Sequence, residues 1–223
     1  MNRSIGIYQD MAARTQNSIY IGVVGPVRTG KSTFIKRFME LVVIPEMADD
    51  NEKVRTIDEL PQSADGKTIM TTEPKFIPKE AAVIHFSNQE TGKIRLIDCV
   101  GYLVPEAVGA IEEEKERMVK TPWSEEEIPF SKAAEIGTSK VIREHSNLGL
   151  IITTDGSFGD IPAVNFEEAL QKTVMECEKA GKPFLILVNT SRPDSQETIQ
   201  FTKRLEAQYG KTVMAVNCKT MDR

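Results

Sequence analysis

The sequence predicts an α/β fold in which a mostly parallel β-sheet carries helices on both faces. Strand-sized apolar runs alternate along the chain with segments of helical periodicity, and this alternation is typical of parallel sheets. The first run leads directly into a glycine-rich loop and then into a helix. Two later runs lie close enough in sequence to pair as a hairpin, which predicts one antiparallel strand.

The elements follow in a regular order. The first predicted strand, 19–24, precedes a helix at 33–43 whose apolar residues share one face. Strands at 81–86 and 94–99 flank a polar turn, so we expect 81–86 to form the sheet edge. The remaining predicted strands are 148–153, 184–188 and 213–216, and the remaining helices are 131–145, 165–180 and 195–209.

Two segments interrupt this pattern within a single predicted domain, 1–223. Residues 44–75 are largely polar, and residues 103–130 contain eight Glu, two Lys and one Arg. Both exceed ordinary connection lengths. We interpret them as long functional loops, with passive surface insertions as the alternative.

Composition excludes several functions. The net charge of -5 argues against a general nucleic-acid binder. The three cysteines are odd in number and widely spaced, as expected of reduced thiols in a cytoplasmic protein. The sequence predicts neither a secretory signal nor a membrane-spanning segment.

Residues 25–32, GPVRTGKS, fit the phosphate-binding pattern G-x-x-x-x-G-K-[ST] between a strand and a helix, which predicts a P-loop NTPase. In this pattern the backbone N–H groups surround a phosphate, Lys31 supplies positive charge, and Ser32 binds Mg²⁺. The predicted nucleotide-binding residues are Gly25, Arg28, Thr29, Gly30, Lys31, Ser32, Thr33, Gly101 and Asn189.

A second motif, Asp98-x-x-Gly101, begins at the C-terminal end of the predicted strand 94–99. The strand delivers Asp98 to the edge of the sheet where the first strand also ends, so its carboxylate is predicted to hold Mg²⁺ directly or through water. Gly101 allows a backbone N–H to approach the γ-phosphate.

A third candidate is the pair Thr71-Thr72, which lies between the other two motifs. A hydroxyl here is predicted to complete the Mg²⁺ shell, and Thr72 is our choice of ligand, although position alone does not choose among Thr68, Thr71 and Thr72. The alternative is that these threonines belong to an edge strand.

The order of the three motifs resembles the translation-factor class of GTPases, but two positions depart from that class. Its guanine-reading N-K-x-D is replaced by Asn189-Thr190-Ser191-Arg192, and arginine cannot accept hydrogen bonds from guanine. Tyr102 occupies the place of a water-orienting Gln. We therefore expect ATP rather than GTP, with slow or assisted hydrolysis.

Arg28 is open to two interpretations. It stands where some related GTPases use Asn to hold a potassium ion, so it is a candidate catalytic charge, in cis or toward a neighbouring subunit. Alternatively, it points outward and pairs with an acidic surface residue.

The strings DELPQSADGKTIMTTEPKF, LIDCVGY, TPWSEEEIPF, AAEIGT and ITTDGSFGDI closely resemble the stage IV sporulation protein A family over nearly the whole chain. The resemblance implies a Mg²⁺-dependent ATPase domain that drives self-assembly into a polymer of the spore coat basement layer, on the mother-cell face of the forespore. It also implies that Lys31, Asp98 and Thr71-Thr72 match the family's P-loop lysine, Mg²⁺ aspartate and sensing threonines. Other coat proteins are implied partners, and membrane association is expected through regions outside this chain.

Two other functions compete with a self-assembling ATPase. A regulatory GTPase switch is the first alternative, and Arg192 argues against it. A P-loop small-molecule kinase is the second, and the combination of the D-x-x-G motif with a threonine loop argues against it.

Overall fold

The computed structural model describes residues 18–61, 73–85, 91–107, 111–112 and 115–222. Ten strands are present in these residues: β1 (Ser18–Val24), β2 (Lys75–His85), β3 (Thr91–Asp98), β4 (Ile111–Glu112), β5 (Lys115–Glu116), β6 (Met118–Thr121), β7 (Ser124–Pro129), β8 (Leu148–Thr154), β9 (Phe184–Asn189) and β10 (Val213–Val216). The α-helices are α1 (Lys31–Phe38), α2 (Asp50–Glu59), α3 (Phe130–Lys140), α4 (Glu167–Lys179) and α5 (Gln196–Tyr209).

Short 3₁₀ and π-helical segments adjoin several of the α-helices. A π-helical segment, Met39–Val43, and a 3₁₀ turn, Ile44–Glu46, continue α1, while a second π-helical segment, Val141–His145, continues α3. A 3₁₀ turn, Ala163–Phe166, leads into α4. Together these segments account for the longer helices that periodicity predicts at 33–43 and 131–145.

The main sheet has six strands in the order β10-β9-β8-β1-β3-β2. Every adjacent pair is parallel except β2 with β3, so the predicted mostly parallel sheet with an antiparallel edge strand is confirmed. The edge strand is longer than expected, because it begins at Lys75 and continues through a bulge between Ile77 and Ala82.

Alternate residues of the strands supply two hydrophobic cores, one on each face of the sheet. On one face Ile21 and Val23 of β1 pack in a cluster with Phe34 and Ile35 of α1. The other cluster joins Val24 to buried residues of the Val141–His145 segment and of α4 and α5: Val141, Ile142, Leu170, Val174 and Leu205. The expectation of helices on both faces is therefore confirmed.

Two expectations about loops need correction. Segment 44–75 contains α2, a helix that begins where the Asp49 side chain accepts a hydrogen bond from Asn51 N at 2.8 Å. The polar composition hid this helix because Thr56 is its one buried residue. Within 103–130, strands β4 to β7 form two short antiparallel pairs rather than an unstructured loop.

Cys99, Cys177 and Cys218 are buried and unpaired, as the cysteine count predicts. No helix in the described part of the chain is both long and apolar enough to cross a lipid bilayer.

Candidate functional site

The candidate site lies at the carboxyl edge of the parallel sheet, where ligands of open α/β sheets commonly bind. β1 ends at Val24, β3 at Asp98, β8 at Thr154 and β9 at Asn189. Parallel pairing brings the four loops that follow these strands to one edge. The sheet topology therefore assembles the site from segments that are distant in sequence.

The loop between β1 and α1 turns sharply at Gly30, whose φ of 91° is left-handed. A Cβ at this position would lie 2.4 Å from the amide nitrogen of Asn189. Glycine is required there because a side chain would both strain the backbone and displace Asn189. No side chain caps the N-terminus of α1, so the first N–H groups of the helix are not consumed by a cap.

Lys31, the first residue of α1, turns its side chain back over this loop. Its Nζ donates to Pro26 O at 2.7 Å and lies 3.5 Å from Gly25 O. The residue is only 5% exposed, and burial lowers the pKa of its ammonium group. In the described part of the chain this ammonium has carbonyl groups as its hydrogen-bond partners and no ion pair, so its position suits an anionic ligand.

Ser32 and Asp98 meet across the same edge, where Ser32 Oγ donates to Asp98 Oδ2 at 2.6 Å. The other carboxylate oxygen, Asp98 Oδ1, is buried and has no hydrogen-bond partner in the described part of the molecule. Burial raises the pKa of Asp98, and the Ser32 hydrogen bond and nearby Lys31 oppose that shift. An unpartnered buried carboxylate oxygen beside a serine hydroxyl is a donor set that suits Mg²⁺.

Gly101 brings the segment after β3 against the loop between β1 and α1. A Cβ on Gly101 would lie 2.0 Å from Gly25 O and 2.8 Å from Lys31 Nζ, and its φ is 94°. The contact continues in the next residue, because Val27 N donates to Tyr102 O at 2.9 Å. The two predicted phosphate-contacting segments are thus hydrogen-bonded to each other.

Asn189 ties two more segments to this loop. Its Nδ2 donates to Thr29 O at 3.0 Å, and its Oδ1 accepts from Cys218 N at 3.1 Å. Thr29 in turn donates to Pro26 O at 3.0 Å. Both ends of the Asn189 amide are therefore engaged in holding the loop in place.

Asp155 and Thr190 form a polar network that sequence analysis missed. Thr190 Oγ1 donates to Asp155 Oδ2 at 2.6 Å, and Asp155 Oδ1 accepts from Ser157 N at 3.0 Å. Ser157 Oγ accepts from Ser191 N at 2.8 Å, which joins the loops after β8 and β9. The signal in the sequence was a polar residue, Asp155, placed directly after a buried strand.

Of the other predicted site residues, some lie in the described part of the chain and some do not. Thr33 lies in the first turn of α1 and is partly buried. Arg28 is exposed and adopts a left-handed φ of 62°, an uncommon conformation for a residue with a side chain. Thr71 and Thr72, and the alternative Thr68, lie outside the described residues.

Comparison with known proteins adds a family match. A family model described as the ATPase domain of stage IV sporulation protein A matches residues 1–223. The chain is 52% identical over 217 residues to stage IV sporulation protein A of Bacillus subtilis (strain 168). It is 48% identical over 216 residues to the protein of that name from Clostridioides difficile (strain 630).

Both alignments cover 97% of this chain but 44% of the relative, so the chain spans less than half the length of these proteins. A crystal structure of a mutation variant of SsGBP aligns with 96% of this chain and 54% of that chain, at 14% identity and a TM-score of 0.47. A likeness at this level supports no inference about function.

Proposed function

The chain belongs to the stage IV sporulation protein A family as its ATPase domain, and from this premise we propose that it binds and hydrolyses ATP with Mg²⁺. The bound nucleotide would lie at the carboxyl edge of the sheet, in a P-loop formed by residues 25–32. We propose that the domain is a translation-factor-like P-loop NTPase that binds an adenine nucleotide rather than a guanine nucleotide.

The observation that carries this proposal is the Ser32–Asp98 pair with its unpartnered Asp98 Oδ1. Mg²⁺ is commonly held by one or two protein groups together with substrate phosphates and waters. Ser32 and Asp98 supply such groups here. The ion, when bound, neutralises charge on the phosphate oxygens.

Lys31 supports the same conclusion through its position. Its ammonium is buried over the loop and interacts there with backbone carbonyls. Phosphate oxygens are stronger partners for a desolvated ammonium than carbonyls are, because the pair is then charge-assisted on both sides. Lys31 therefore binds and orients the phosphates, and Gly101 lets the segment after β3 lie directly beside Gly25 O and Lys31 Nζ.

ATP is proposed over GTP because Arg192 stands at the position of the guanine-reading carboxylate, and Asp194 lies two residues further on, beyond a proline. Both ends of the Asn189 amide are engaged, and the hydroxyl of the fully buried Thr190 contacts Asp155. The side chains left exposed in this loop are Ser191, Arg192 and Asp194, and Arg192 stands at the acceptor position of guanine-binding proteins. Arginine only donates hydrogen bonds, so it does not select the N–H groups of guanine.

The family match supports a proposal for the wider role. We propose that ATP hydrolysis by this domain drives self-assembly into a spore coat basement layer on the mother-cell side of the forespore. Other coat proteins are its proposed partners, and regions outside this chain provide membrane attachment. The acidic segment 103–130 and Arg28 are candidates for subunit contact or catalysis.

A regulatory GTPase remains the second candidate, because the sheet order and the Asn189 contacts suit a guanine-nucleotide protein as well. Competition between ATP and GTP for the purified chain, together with Mg²⁺-dependent phosphate release, separates the two. ATP should bind more tightly and should be hydrolysed only with Mg²⁺. Tenfold tighter binding of GTP, about 1.4 kcal/mol, rejects the ATPase assignment.

The assembly step is tested by sedimentation of a protein of the relatives' full length that contains this domain. ATP should bring it into the pellet, while GTP and a non-hydrolysable ATP analogue should not. Equal sedimentation with all three nucleotides would remove hydrolysis from the assembly step.

A further inference from the structure

Lys172 lies over the ring of Tyr102, with its Nζ 4.9 Å from the ring centroid. Lys172 belongs to α4, and the same ammonium forms an ion pair with Glu135 of α3. Lys132 approaches Glu135 as well, at 3.7 Å. The ion pair that joins α4 to α3 therefore has its cation over the ring of Tyr102.

The backbone of Tyr102 connects this contact to the candidate nucleotide site. Its carbonyl oxygen accepts from Val27 N at 2.9 Å, and the residue before it is Gly101. Gly101 in turn lies close to Gly25 O and to Lys31 Nζ. A movement of the Tyr102 ring would consequently be transmitted within one residue to the atoms that face the phosphates.

Tyr102 is only 5% exposed and packs in a cluster with Val27, Val104, Phe166 and Ala169, but one side of the residue borders a cavity. A cavity of about 200 Å³ lies between the segment after Gly101 and helices α3 and α4. It is lined by Tyr102, Leu103, Pro105, Ser131, Glu135, Asn165, Glu168, Ala169 and Lys172. Where neighbouring atoms are missing, dispersion contacts are lost and other interactions must fix the side chain. A cation over the ring face is such an interaction.

We infer that Lys172 and Glu135 are positioning residues for nucleotide hydrolysis. Lys172 holds the ring of Tyr102, Glu135 holds Lys172, and the pair thereby keeps Gly101 beside Lys31. This inference rests on the ATPase activity proposed above. Neither residue lies within the phosphate loop, so each acts through Tyr102 rather than by contact with the nucleotide.

A positioning role and a purely structural role of Lys172 predict different effects on kcat. If Lys172 only joined α4 to α3, its loss would lower stability and leave the turnover of folded protein unchanged. If it positions Gly101 for the reaction, its loss lowers kcat while ATP affinity stays nearly constant. Arginine should restore the function, because it keeps both the cation over the ring and the ion pair.

The experiment compares Lys172→Met, Lys172→Arg and Glu135→Gln with the unmodified chain. The matched control is Lys179→Met, which removes a similar exposed ion pair, Lys179 with Glu176, from the same helix. ATP affinity, kcat and thermal unfolding are measured for each. We expect about a fivefold or greater loss of kcat in Lys172→Met, as a cation–π contact of this kind allows. The ATP dissociation constant should stay within about twofold.

Glu135→Gln should fall between the Lys172→Met variant and the unmodified chain, while Lys172→Arg and Lys179→Met should hydrolyse ATP at nearly the original rate. Unchanged kcat in folded Lys172→Met overturns the inference while leaving the ATPase assignment intact. Equal losses in Lys172→Met and Lys179→Met also overturn it. Absence of ATP binding in the unmodified chain is a different result and rejects the proposed function itself.

Discussion

The hydroxyl of Ser32 donates to Asp98 Oδ2 over 2.6 Å and so joins the first turn of α1 to the end of β3. The two residues are 66 positions apart in sequence. Their partner in the proposed nucleotide complex is Mg²⁺.

Asp98→Asn should reduce Mg²⁺-dependent ATP hydrolysis by roughly 10²-fold or more, because an amide cannot supply the negative charge that the metal needs. The rate of hydrolysis is measured as phosphate release at several Mg²⁺ concentrations. Burial raises the pKa of Asp98 above its ordinary 3.8, so protons should compete with Mg²⁺ at higher pH than for an exposed carboxylate. Mg²⁺ affinity should therefore decline as pH is lowered. The part of this pH dependence that comes from Asp98 should be absent from Asp98→Asn. Asp160→Asn, at an exposed position, is the control.

Lys31→Ala should abolish nucleotide binding or hydrolysis, since the phosphates lose their main cationic partner. Equilibrium binding of a fluorescent ATP derivative and phosphate release together measure both steps. Lys36→Ala, on the same helix, should behave like the unmodified protein. Full activity of Lys31→Ala would contradict the assignment of residues 25–32 as a P-loop.

The double substitution Thr71→Ala with Thr72→Ala should leave ATP binding largely intact and slow hydrolysis. We expect this because the two threonines are predicted to act at the γ-phosphate and Mg²⁺. Both threonines lie outside the described residues. Single-turnover hydrolysis separates the two steps. Turnover at the unmodified rate would remove both threonines from the mechanism.

Arg28→Ala should lower turnover much more than ATP affinity if Arg28 supplies charge to the reaction. The side chain is exposed, and the backbone is held at a positive φ that favours glycine, so Arg28→Gly provides a variant without that strain. Both variants should show similar kcat losses, and potassium should partly restore Arg28→Asn. If the assembled Arg28→Ala protein hydrolyses ATP normally, Arg28 is a surface residue without a catalytic role.

Asn189→Ala should lower the free energy of unfolding by about 1–3 kcal/mol, because it removes two hydrogen bonds and leaves Thr29 O and Cys218 N without partners. Urea unfolding monitored by circular dichroism measures the change. Gln200→Ala, at an exposed position of α5, should change it by less than about 0.5 kcal/mol. Similar values for the two variants would show that the Asn189 contacts do not stabilise the fold.

Sequence periodicity predicted the main sheet well, because its strands are buried on both faces and read as apolar runs. The strands predicted at 94–99 and 148–153 end within one residue of the observed ends of β3 and β8, at Asp98 and Thr154. Periodicity missed α2, whose stability depends on its Asp49 cap and its packing beside β2 rather than on an apolar stripe. It also missed β4 to β7, which are short strands in an acidic segment.

Part of the candidate site was predictable and part was not. Motif spacing predicted that Ser32 and Asp98 would meet, since both follow parallel strands in the same sheet. It did not predict that the hydroxyl of Thr190 would be committed to Asp155, because that contact depends on how two loops of unremarkable composition turn. The Lys172–Tyr102 contact was equally hidden, since lysines on helical surfaces are common.

The Asn189 contacts also bear on the order in which the chain acquires its site during synthesis. Thr29 and Asn189 are 160 positions apart, and Asn189 also needs Cys218, which lies 29 positions later. On the ribosome the N-terminal side emerges first, at roughly 5–20 residues per second, so residues 25–32 would wait roughly 8–38 seconds for Asn189 and Cys218. The nascent loop 25–32 would therefore lack its final support until Cys218 has been made, and the proposed nucleotide binding should become tight only late in translation.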